Sequence, residues 1–73
     1  MITPAQCRAA RGLLNWKQKE LAELTGVTAV TIFNFESGKT SPHNSTLKLL
    51  RQTFEKAGVA FIDDNGGGVK LTG

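Results

Sequence analysis

Few side chains in this sequence could carry reaction chemistry, and their spacing argues against it. Cys7 is the only cysteine and His43 the only histidine. Neither has a second His, Cys or acidic cluster at ligand spacing, so no metal is expected. Asp63 and Asp64 fall in a turn cluster, Asp63-Asp64-Asn65-Gly66-Gly67-Gly68, where solvated carboxylates are the default. Its three glycines lack the strand-loop-helix setting and the following Lys-Ser/Thr of a phosphate-binding loop. No nucleophile has a base at hand, and 73 residues hold no pocket-sized core. The chain is therefore expected to be no enzyme and to need no cofactor. What remains is contact chemistry. Lys17, Lys19 and Lys39 are cations, and Gln18, Thr28, Thr31, Asn34 and Thr40 are hydrogen-bonding groups, all between positions 17 and 40.

Charge supports a polyanionic partner. The net charge is +3 and the pI near 9.4. Residues 1–58 carry eight of the nine Lys and Arg but four of the six acids, a balance of +4, while the remainder is at −1. The basic part is the part that reads as helical. A moderate excess of this kind suits nucleic acid without requiring it. Cys7, alone and on an apolar helix side, is expected to be a small buried hydrophobe. No run approaches membrane-spanning length and no signal-peptide pattern opens the chain, so a soluble, cytoplasmic protein is expected.

The elements that position these residues follow from periodicity and caps. Thr3-Pro4-Ala5-Gln6 is a helix start with Thr3 as cap, Pro4 at the first helical position and Gln6 closing a capping box. Cys7, Ala10 and Leu14 share one side, joined unexpectedly by Arg11. Asn15 suits a left-handed residue after that helix, and Trp16 suits a core anchor. A second helix opens at Gln18, with Leu21, Ala22 and Leu24 recurring at helical spacing. Thr25-Gly26-Val27-Thr28 then sets a stop beside a start: Gly26 can take positive φ, Thr28 can cap, and Val27 can staple to Ile32. So short a turn fixes the angle between two helices, which is the helix-turn-helix pattern, whose second helix can enter the DNA major groove.

That second helix, Thr28 to about Ser37, turns Ile32 and Phe35 inward and leaves Ala29, Val30, Phe33, Asn34 and Ser37 outward. Gly38 ends it, and a polar loop through Lys39 and Thr40 follows. Asn44 or Ser45 is expected to cap a fourth helix with a stripe of Leu47, Leu50, Phe54 and Ala57, stopped by Gly58. The period then changes: Val59–Ile62 and Val69–Leu71 suggest a hairpin, which must pack on the helices or pair with another chain. The expected division is a helical domain over 1–58 and a hairpin extension over 59–73 that could dimerise.

Gln18, Leu21-Ala22, Gly26-Val27, Ile32, Glu36 and Gly38, followed by Pro42 and the apolar helix from Thr46, resemble the lambda-repressor-like (Cro-type) helix-turn-helix regulators. The likeness covers roughly residues 5–58 and implies a mainly α, four-helix DNA-binding domain with a short C-terminal β-hairpin. It implies a sequence-specific regulator, a repressor acting as a homodimer on a palindromic operator, with double-stranded DNA as partner. The tail is similar to extensions on small bacterial regulators, which implies a bacterial or phage origin. By position, Gln18 matches the glutamine that contacts phosphate and braces the recognition helix. Thr28, Ala29, Val30, Thr31 and Asn34 match groove-facing positions, and Lys39 with Thr40 matches the backbone-contacting loop. Lys17 and Lys19 would add phosphate contacts, and Arg11 with Glu36 would form a partly buried ion pair. Two positions depart from the pattern. Lys17 stands where Ser or Thr commonly caps, and Ala29 and Val30 cannot make bidentate bonds to bases, though they can meet thymine methyls. On the same fold, the apolar Val30 and Phe33 also suit a protein partner, as in an antitoxin subunit or adaptor.

Overall fold

The computed structural model describes residues 2–63 and 67–72. Four helices, α1 (Pro4–Leu14), α2 (Gln18–Thr25), α3 (Ala29–Glu36) and α4 (Asn44–Lys56), precede a hairpin of β1 (Val59–Ile62) and β2 (Gly68–Leu71). The core gathers Cys7 and Ala10 of α1, Leu21 of α2, Ile32 and Phe35 of α3, Leu47, Leu50 and Phe54 of α4, and Val59 of β1, with Ile2 closing one end. Phe54 is the central member. Trp16 stacks on it at 5.8 Å between centroids and Phe61 tilts against it at 6.3 Å, so the α1–α2 link and the hairpin meet on one ring.

The start of α1 forms as its sequence dictates. Thr3 Oγ1 accepts from the Gln6 amide at 3.1 Å, and Gln6 Oε1 accepts from the Thr3 amide at 3.0 Å, completing the capping box. Asn15 takes the left-handed conformation after it, at φ 57°. At α2 Lys17 makes no side-chain capping bond, and only the reverse half of a capping box forms, Glu20 Oε1 accepting from the Lys17 amide at 2.9 Å. Asn15 plays no part in that.

Three expectations need correction. Leu24 is 60% exposed instead of buried. The core side of α2 is centred between Leu21, Ala22 and Thr25, and at 100° per residue Leu24 lies beyond its edge. Ala57 is exposed because α4 ends at Lys56, so position 57 has left the helical period. The cap of α4 is His43, with no side-chain capping bond, and Asn44 is already helical.

The hairpin packs on its own helices. Val59 pairs with Leu71 and Phe61 with Val69, and Val59, Phe61 and Val69 turn toward the core. Gln6, almost fully buried, reaches from α1 with Nε2 donating to the Ile62 and Gly68 carbonyls at 3.4 Å each. A Cβ at Gly67 would lie 2.8 Å from that nitrogen, and its φ of +84° also favours glycine. The other end is closed by Thr72, whose amide donates to the Gly58 carbonyl at 2.7 Å. Asp64, Asn65 and Gly66 of the expected turn lie outside the described residues.

Candidate nucleic-acid interface

The turn between α2 and α3 is locked from both sides. Gly26, at φ 76°, donates its amide to the Ala22 carbonyl at 2.8 Å. Thr25 Oγ1 donates to the Leu21 carbonyl at 2.8 Å and accepts from the Val27 amide at 3.2 Å. Val27 is partly buried against the core cluster that contains Ile32. Thr28 caps α3, its Oγ1 accepting from the Thr31 amide at 3.2 Å and donating to Thr31 Oγ1 at 2.9 Å.

With Ile32 and Phe35 buried, α3 turns Ala29, Val30 and Phe33 to solvent, with Asn34 half-buried at the side. Val30 is 69% and Phe33 49% exposed, so no other element covers this face. The Asn34 side-chain amide has no hydrogen-bond partner among the described residues, while its backbone carbonyl organises the next loop. It accepts from Ser37 Oγ at 3.2 Å and from the Lys39 and Thr40 amides at 2.9 and 3.3 Å. Lys39 Nζ lies 5.4 Å from the Phe33 ring centroid, which brings this cation beside the outward face.

The rear of α3 is held by Glu36. Its carboxylate accepts from Arg11 Nε and Nη2 at 2.7 Å each, from Gln18 Nε2 at 3.1 Å and from Cys7 Sγ at 3.1 Å. Arg11 Nη1 donates onward to the Trp16 carbonyl at 3.0 Å, and Arg8 Nη1 donates to the Glu36 carbonyl. Burial pushes the Glu36 carboxyl up, but bonds from Arg11, Gln18 and Cys7, together with the Arg11 charge, outweigh it and hold the group below the usual carboxylate range. Burial, followed by the Glu36 hydrogen bond and charge, drives the Cys7 thiol well above its ordinary value. Cys7 is the buried small residue its sequence position indicates.

Most of the sequence-predicted residues thus converge. Thr28, Ala29, Val30 and Thr31 form the entry of α3, Phe33, Asn34, Lys39 and Thr40 its exit, and Gln18 joins it through Glu36. Lys17 and Lys19 are exposed at the start of α2, and no described hydrogen bond or ion pair ties them to α3. Sequence reasoning missed Arg8. Its signal was present, since it stands one turn before Arg11 on the same helix and so can reach the same end of α3. Among the described residues no cluster of three His, Cys, Asp or Glu could hold a metal. No described helix is long and apolar enough to cross a membrane.

A tight helix pair with its second member bare on one face and clamped on the other defines a helix-turn-helix DNA-binding domain. The helix-turn-helix family HTH_3 matches residues 8–58, and the chain belongs to that family of lambda-repressor-like regulators. No curated protein matches the chain.

Proposed function

We propose that the protein is a sequence-specific transcriptional repressor that occupies a palindromic operator as a homodimer, with α3 in the major groove. The observation that carries this reading is the bare outer face of α3, bounded by Thr31, Asn34 and Lys39 and held from behind by Glu36. Lys17, Gln18, Lys19, Lys39 and Thr40 position the phosphate backbone, while Asn34 and Thr31 read base edges and Ala29, Val30 and Phe33 meet thymine methyls. Two such helices in a dimer would sit about 34 Å apart, one turn of DNA.

Gel-shift titration over a range of salt tests the assignment. Lys39→Ala is expected to weaken specific and random duplexes alike and to flatten the log–log salt slope by about 0.9, whereas Asn34→Ala changes preference among sequences. Identical behaviour of the two variants would refute it. Dimerisation is assigned to the hairpin, where Ile62 and Leu71 remain exposed although the helices cover Val59. Replacing both Ile62 and Leu71 by Lys in the full chain is expected to yield monomers in equilibrium sedimentation; an unchanged dimer removes the hairpin from the interface. The exposure of Val30 and Phe33 also supports a second reading, a protein-docking adaptor or antitoxin subunit. Absence of any shift with random duplex at low salt would favour it.

A further inference from the structure

A groove of about 420 Å³ runs between α2 and α4, lined by Trp16 and Leu24 on one wall and by Leu49, Thr53, Lys56 and Ala57 on the other. No residue of α3 lines it, so it lies apart from the face assigned to DNA. Leu24 and Leu49 are 60% and 40% exposed. Two stripes therefore run along α4. Leu47, Leu50 and Phe54 enter the core, while Leu49, Thr53 and Ala57, four residues apart, form a second stripe whose leucine the chain leaves bare. The two walls also differ in charge. On α2, Glu20 stands one turn before Leu24 and Glu23 next to it in sequence, both exposed. On α4, Lys56 lines the groove and Lys48 precedes Leu49, both exposed. Among the described residues Glu23, Lys48 and Lys56 have no ion pair, whereas Arg51, on the hairpin side of α4, is taken up by Glu55 and Asp63. Lys17, at the cap of α2, leaves that wall acidic on balance.

We infer that this groove is a contact surface for a second copy of the chain, related by a two-fold axis that lies in the plane of contact and runs along the groove. Such an axis sets α2 of each copy over α4 of the other, so the acids Glu20 and Glu23 meet Lys48 and Lys56 while the exposed leucines and Trp16 cover one another. An axis across the groove would set acids on acids and lysines on lysines, which is repulsive. Charge therefore chooses both the occupant and its orientation: the surface complements itself, as an isologous contact requires. The inference is independent of the DNA-binding reading. It is also separate from hairpin pairing, and the contact is weaker. Six residues line the groove, against about 20 to 30 a side in a standard interface, so it operates at high local concentration and is silent where the chain is dilute.

Equilibrium sedimentation tests this in a full-length background carrying Ile62→Lys and Leu71→Lys, which takes the hairpin out of play. At low salt and chain concentrations on the order of 1 mM, that background is expected to form dimers reversibly, and added salt should loosen them. Two variants of it divide the charges. Glu23→Lys makes both walls basic at the rim, and Lys48→Glu with Lys56→Glu makes both acidic; all three positions are exposed, so the fold is not at stake. Each variant alone should associate about tenfold more weakly than the background. An equimolar mixture of the two should regain the background affinity, because every acid again meets a lysine. Both variants remain net positive, so bulk charge gives them no reason to pair. A background chain that stays monomeric at that concentration, or a mixture no tighter than its parts, would overturn the inference. So would loss of random-duplex binding in the lysine variant without any loss of self-association, which would give those lysines to nucleic acid instead.

Discussion

Replacing Arg11 by Met is the most informative single perturbation, because it leaves Glu36 buried without its cation. The side chain of Glu36 is 4% exposed and that of Arg11 20%, so the carboxylate cannot turn to water whereas the guanidinium can. A stranded buried charge of this kind costs about 3 to 5 kcal/mol. Glu36 has one escape, which is to bind a proton. From an ordinary value of 4.5, protonation at pH 7 costs about 3.4 kcal/mol at 1.36 kcal/mol per pH unit, and this caps the electrostatic penalty. At pH 5 the same cap is about 0.7 kcal/mol. The lost bond to the Trp16 carbonyl adds roughly 1 kcal/mol at every pH.

The sign of the pH dependence therefore reverses. In the wild type the folded carboxyl titrates below its unfolded value, so its stabilisation is full above pH 4.5 and is lost as pH falls through the lower folded value. In Arg11→Met, burial dominates and lifts the carboxyl above its unfolded value, so stability falls as pH rises from 4.5 through the raised value. Urea denaturation at pH 5 and pH 7 measures both. The expected destabilisation at pH 7, about 4.4 kcal/mol from the two contributions together, corresponds to roughly 18 to 35 °C in Tm for a domain of this size. Adding Glu36→Gln, which keeps an acceptor for Gln18 and Cys7, should recover most of it. A penalty independent of pH, or additive single and double variants, would refute the stranded-charge argument.

Phe54→Ala removes the ring on which Trp16 and Phe61 rest and should cost about 3 to 5 kcal/mol. Against a margin of roughly 4 to 11 kcal/mol for a chain of this length, denaturant melts should show a largely unfolded or severely weakened protein. A loss under 1 kcal/mol would deny Phe54 its central place. Cys7 is fully buried and its thiol pushed up, so iodoacetamide should label it only as the chain opens, at a rate that follows the unfolded fraction across a urea series. Labelling of the native protein at the rate of a free peptide thiol would contradict that burial.

Local signals were legible and long-range ones were not. The Thr25–Thr28 turn and the Thr3–Gln6 box need only residues within four positions, and both formed as their residue types require. The outward face of α3 followed from period alone, since Ile32 and Phe35 leave one direction for Val30 and Phe33. Leu24 misled because two helical turns are too few to show where the stripe is centred. Gln6 was read as a cap, and it is one, but its second task joins residues more than 50 positions away and no local pattern encodes that. The Arg11–Glu36 pair became visible only through family resemblance, because a buried ion pair has no periodicity of its own.

The clamp on Glu36 bears on function through a limit on helix length. Eight residues make too short a helix to persist alone in water, since nucleation fixes several dihedrals before propagation compensates. The inner face of α3 contributes Ile32 and Phe35 to the core, and its outer face contributes no member to it. Were the helix held by those two side chains alone, its last turn could fray toward solvent, and the Asn34 carbonyl that orders Lys39 and Thr40 would go with it. Glu36 prevents this from the final helical position, tied to α1 through Arg11 and Cys7 and to α2 through Gln18. The outer face is thus left uncovered while its backbone is fixed. Preorganisation of that kind lowers the ordering entropy charged against binding, and it places the charge of Arg8 and Lys39 before a partner arrives.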